Sequence, residues 1–79
     1  MKATDLKLRR EYFYFDWNTR SVFKVKYVSS CRKEYLYRFR FVDGTYLALY
    51  QYQVKTDIFD NHFDCVMAAA GRIIKKNIG

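Results

Sequence analysis

Four runs rich in tyrosine, phenylalanine and valine occupy Leu8–Trp17, Arg20–Val28, Lys33–Val42 and Thr45–Val54, with at most four residues between one and the next. Such runs read as β-strands, because aromatic and β-branched side chains pack well on a pleated surface. A parallel crossover needs a dozen or more residues, so spacers this short admit only antiparallel neighbours. Asn18-Thr19, Ser29-Ser30 and Asp43-Gly44 supply the turn chemistry. Residues 8–54 are thereby restricted to an antiparallel meander.

Beyond them the period changes. Phe59, Phe63, Val66, Met67, Ala70, Ile73, Ile74 and Ile78 recur at the i, i+3, i+4, i+7 spacing of an amphipathic helix. Thr56 or Asp57 suits its N-cap. Asp57, Asp60 and Asp64 precede Arg72, Lys75 and Lys76, an order that complements the helix dipole. Phe63, Val66, Met67, Ala70 and Ile74 are predicted to pack on the sheet. Gly71, which costs about 1 kcal/mol against alanine inside a helix, is expected to permit close approach to it. The predicted fold is α+β, in the order ββββα: a four-stranded antiparallel meander followed by one C-terminal helix on one sheet face. Residues 1–79 form a single domain, since 79 residues are too few for two cores.

One helix covers one face, so the faces must be assigned. Odd positions carry Phe13, Phe15 and Trp17, then Phe23, Val25 and Tyr27, then Tyr35, Tyr37, Phe39 and Phe41. These are predicted to form the core, provided that the loops keep their parity. The fourth strand depends on Asp43-Gly44. A two-residue turn would bury Tyr46, Tyr50 and Tyr52, whereas a three-residue turn with Gly44 in the left-handed bulge position buries Leu47 and Leu49. Exposing two leucines costs more than exposing tyrosines that keep a hydroxyl for water, so the bulged turn is expected.

The other face then carries Arg10, Tyr12, Tyr14, Lys24, Lys26, Arg38, Arg40, Tyr46, Tyr50 and Tyr52. Charge concentrates in the same region. Residues 1–55 hold twelve Lys and Arg against five Asp and Glu, hence +7, while residues 56–79 hold three of each sign, hence zero. Aromatic platforms beside cations suit single-stranded DNA or RNA, because bases stack on rings while Lys and Arg neutralise phosphates. The expected function is therefore non-enzymatic nucleic-acid binding through these ten residues. A protein-binding module, such as a compact phage- or mobile-element-type inhibitor of host machinery, is the competing expectation, since tyrosine and arginine also dominate protein interfaces. The composition leaves room for a homodimer as well.

Catalytic patterns are missing. His62 and Cys65 stand three apart on the predicted helix, but no second ligand pair follows, so a packed thiol and a half-buried histidine are expected rather than a metal site. Gly44, Gly71 and Gly79 are isolated and form no phosphate-cradling loop. No cofactor, metal or enzymatic activity is expected. Cys31 and Cys65 read as reduced thiols. Without a signal-like leader or an apolar run of spanning length, a cytoplasmic protein without membrane association is the expectation.

Overall fold

The computed structural model describes the backbone of residues 2–78 and the side chains of residues 2–71 other than Arg32. Strands β1 (Glu11–Asp16), β2 (Ser21–Cys31), β3 (Leu36–Phe41) and β4 (Tyr46–Tyr50) form the predicted meander. Helix α1 (Gln51–Asp57), a short strand β5 (Ile58–Phe59) and helix α2 (His62–Ile78) follow. The sheet is antiparallel and five-stranded, in the order β4-β3-β2-β1-β5. The predicted class and meander stand, with one helix and one strand more than expected.

The addition arises where the fourth strand was expected to run on to Val54. Instead the chain turns helical at Gln51. The Gln53 side chain accepts the Tyr50 amide hydrogen at 2.9 Å, and Val54 is fully buried against the sheet. Tyr, Val and Thr are weak helix formers, so this short helix depends on tertiary packing. It crosses one face of the sheet from the β4 edge to the far side, where Ile58 pairs with Tyr14 and Phe59 with Phe13. Helix α2 therefore starts at His62, and its cap is Asn61 rather than Thr56 or Asp57. The Asn61 Oδ1 accepts the Asp64 amide and its Nδ2 donates to the Asp64 carboxylate, both at 2.8 Å.

Loop length decides the faces. The β1–β2 connection holds four residues, and Asp16 organises it by accepting the Asn18 amide at 2.9 Å and the Thr19 hydroxyl at 3.2 Å. Asp16 consequently pairs with Ser21, and even positions of β1 share a face with odd positions of β2. Tyr12 and Tyr14 join Val25 and Phe23, while Phe13 and Phe15 join Lys24 and Val22. This corrects the parity expected for the first strand. An irregularity between Tyr27 and Ser29 keeps Tyr27 opposite Phe39 and Lys26 opposite Arg40. At the third hairpin the bulged turn is present: Phe41 pairs with Thr45 through a 2.8 Å bond, and Gly44 has φ +95. Leu49 is buried, and Tyr46 and Tyr50 point the other way.

Each face has a core. Tyr12, Val25, Tyr27, Phe39, Leu49, Val54 and Ile58 are packed under α1, with Ala3 from a 3-10 turn (Ala3–Asp5) sealing one end. On the opposite face Phe15, Cys65 and Ala69 form a smaller cluster with Phe13, Val22 and Phe59. Helix α2 lies over β1 and β5, where rings already fill the space and only small side chains fit beneath it. Cys65 and Ala69 take that role. Contrary to expectation Phe63, Val66 and Met67 face outward, at 71%, 40% and 56% exposure. Ala70 is exposed too. A Cβ on Gly71 would meet nothing within 4 Å, so this glycine does not serve approach to the sheet. The predicted core positions Ile73, Ile74 and Ile78, and the cations Arg72, Lys75 and Lys76, lie outside the described side chains.

Three further odd positions depart from the expected core. Trp17 and Phe23 are more than one-third exposed. Tyr35 leaves the sheet altogether and adopts φ 53, a left-handed conformation. Cys31 and Cys65 are not joined in a disulfide. Among the described residues, no helix is long and apolar enough to cross a membrane.

Candidate nucleic-acid interface

Because α2 occupies only the β1–β5 side of its face, the same face stays open over β2, β3 and β4. Lys24 and Lys26 project there from β2, Arg38 and Arg40 from β3, and Tyr46 and Tyr50 from β4. Alternate residues of a strand lie about 6.5 Å apart on one face, a spacing comparable to that of neighbouring phosphates in an extended strand. Lys26 stands directly opposite Arg40, which in turn faces Tyr46. Like charges placed directly opposite each other destabilise a sheet.

Glu11 supplies one carboxylate to this surface. It sits opposite Lys26 and ion-pairs with Lys24 at 2.7 Å, both groups about half exposed. The Lys24 hydrogen bond and charge, with Lys26 adding to them, hold the Glu11 carboxyl below its ordinary value. One carboxylate against four cations leaves a surplus of positive charge on a rigid, uncovered sheet.

The structure brings six of the ten predicted site residues onto this open surface: Lys24, Lys26, Arg38, Arg40, Tyr46 and Tyr50. Three others lie elsewhere. Tyr12 is fully buried under the α1 side, where its hydroxyl accepts the Lys7 amide at 2.8 Å. Tyr14 is half-buried on that side and meets Phe41 edge-on. Arg10 lies over the Tyr12 ring and pairs with Asp60 at 3.1 Å. The four-residue first loop, which reversed the parity of β1, accounts for all three.

Tyr52 belongs to α1 rather than to a strand, yet its exposed ring lies parallel to that of Tyr50, with centroids 6.1 Å apart. Beside this pair opens a cleft of about 630 Å³ whose lining includes Tyr35, Tyr50, Tyr52, Lys2, Lys55 and Glu34. Tyr35 is 65% exposed. Its recruitment was hidden in the sequence, since a left-handed tyrosine carries no compositional mark. Lys2 and Lys55 are likewise residues that strand alternation could not find.

His62 packs its ring edge-on against Phe13 at 5.5 Å, and Cys65 is fully buried beside Phe15. Among the described residues, no group of three or more His, Cys, Asp and Glu is arranged to hold a metal ion. No protein-family model, no curated protein and no solved structure matches this chain.

Proposed function

We infer that this protein binds single-stranded nucleic acid through the open β2–β3–β4 surface, without catalysing a reaction. The observation that carries the reading is the pairing of Lys26 with Arg40 across neighbouring strands, extended by Lys24 and Arg38. Lys26 and Arg40, only partly offset by the Glu11 carboxylate, repel each other in the free sheet and are relieved when phosphates lie over them. Tyr46 and Tyr50 border the cations on the β4 side, where bases of the same strand would stack. The Tyr35–Tyr50–Tyr52 cleft continues that aromatic edge. Whether the ligand is DNA or RNA turns on contacts to the 2′-hydroxyl.

The test is a titration with mixed-sequence oligonucleotides, single- and double-stranded, at several salt concentrations. Three or four neutralised phosphates give a log–log slope of roughly −2 to −3 for a single strand. Replacing Arg38 and Arg40 together should flatten the slope by about one to two units. Tyr50→Ala should weaken binding by about 1–3 kcal/mol with the slope nearly unchanged, because stacking releases few ions. Absence of binding at low salt, with a stoichiometric protein partner recovered instead, would make the same tyrosines and arginines a protein interface.

A further inference from the structure

We propose that the cleft between Tyr35, Tyr50 and Tyr52 binds a nucleoside monophosphate, with the base on the tyrosine rings and the phosphate between Lys2 and Lys55. Three separate segments build the cleft. Tyr35 comes from the β2–β3 connection, Tyr50 from the end of β4 and Tyr52 from the first turn of α1. The Gln51 amide donates to the Tyr35 carbonyl oxygen at 3.1 Å, which ties that connection to the start of the helix. Lys55 follows Tyr52 by three positions on α1 and so lies on the same side of it. Lys2 precedes the 3-10 turn that buried Ala3 anchors. The volume of about 630 Å³ falls within the roughly 300–1,000 Å³ usual for small-molecule sites.

Two observations point to a ligand. Tyr35 holds φ 53, a left-handed conformation that L-residues other than asparagine and aspartate seldom adopt. Glycine or asparagine would serve better if the chain had only to reverse there. A tyrosine in that place, 65% exposed, is backbone strain of the kind that accompanies ligand sites. The rings are the second observation. Tyr50 and Tyr52 are 51% and 68% exposed, and their planes differ by only 6°. One flat ligand can therefore lie parallel to both. Charge selects its class. Among the described residues, the lining sets the Lys2 and Lys55 ammonium groups against the single Glu34 carboxylate. That surplus disfavours the cation that a purely aromatic cage would take, and favours an aromatic anion. The choice of a nucleotide among aromatic anions rests on the reading of the open surface, with which the cleft shares Tyr50.

Equilibrium dialysis of the full chain against adenosine and uridine 5′-monophosphates is the test. The monophosphates should bind, with the nucleosides and inorganic phosphate each at least about tenfold weaker. Tyr35→Gly relieves the left-handed strain, so it should leave the fold at least as stable in urea while weakening the nucleotide about tenfold or more. A merely structural tyrosine would not separate the two readouts. Lys2→Gln with Lys55→Gln should bring the monophosphate down to the affinity of the nucleoside. A strand end is the source of the ligand if a 5′-phosphorylated oligonucleotide displaces the mononucleotide at least about tenfold better than the same strand without the phosphate. Otherwise the source is the free nucleotide, and both cases satisfy the proposal. Absence of mononucleotide binding at about 1 mM overturns it, and oligonucleotide binding in that event leaves the open-surface reading standing alone. Equal affinity for nucleoside and monophosphate overturns it too, as does a loss on replacing Arg38 and Arg40 that equals the loss on Tyr35→Gly. Mononucleotide binding without oligonucleotide binding would keep the cleft as a site and sink the open-surface reading.

Discussion

Gly44 holds the third hairpin at φ +95, a region that costs an L-residue roughly 1–2 kcal/mol. A β-branched side chain resists it further, so Gly44→Val should lower unfolding free energy by about 2 kcal/mol or more, while Gly44→Asn should be milder. Urea unfolding distinguishes the two. Asp57 is another single residue with wide reach. Its buried carboxylate accepts the Trp17 indole N–H at 3.1 Å and the Thr56 hydroxyl at 3.0 Å, tying the end of α1 to the end of β1. Asp57→Ala should cost about 1.5–3 kcal/mol, the range for hydrogen bonds to a charged group. Tyr14 makes a prediction in pH. Burial first, then the nearby Asp16 and Asp57 carboxylates, pushes its hydroxyl above the ordinary value of 10.0. The folded state thus favours the protonated form. That contribution is complete below the unfolded-state value and is lost as pH rises through the raised folded one. Tyr14→Phe should shift the alkaline limb of a stability–pH curve upward, and an unchanged limb would mean that this hydroxyl does not govern it.

Among the elements, α2 shows how exposure overrides composition. Phe63→Ala should change stability by less than about 1 kcal/mol in dilute solution, because little of the ring is buried, whereas Phe39→Ala, from a fully buried site, should cost about 3–5 kcal/mol. Equilibrium unfolding of both variants is the check. The strands and their antiparallel order were legible because apolar and charged residues alternate in β2 and β3, and the bulged turn because exposing Leu47 and Leu49 costs more than exposing tyrosines. In β1 the faces were not legible, since the run Tyr12-Phe13-Tyr14-Phe15 is apolar at both parities and only the four-residue loop decides between them. Helix α1 was hidden for a different reason: Tyr, Gln and Val at alternating positions imitate a strand, and its helicity comes from Val54 and Ile58 reaching the core. The periodicity that announced α2 identified the helix but not the side it buries. As to the site, the cations of the middle strands were readable from alternation, while the tyrosines of β1 were misplaced by parity and Tyr35 by its backbone conformation.

For the molecule as a whole, the two cores are unequal. The one under α1 joins eight buried residues and the one under α2 three, among those described. Opening of α2 should therefore be cheaper than global unfolding. In dilute solution its amides should exchange with deuterium at least about tenfold faster than those of β2 and β3, equivalent to about 1.4 kcal/mol. Uniform protection across the chain would show instead that helix and sheet open as one cooperative unit. The same asymmetry bears on what sequence change the protein tolerates. β1 is packed on both sides, Tyr12 beneath α1 and Phe15 beneath α2. No position from 12 to 15 is thus available for a polar replacement, whereas β3 offers Arg38 and Arg40 freely between its buried neighbours. A saturation scan scored on folding should read as an unbroken block of intolerance in β1 and as a two-residue stripe in β3. Drift in the lineage of this protein should leave β1 nearly still while the surface of β3 changes with whatever it binds.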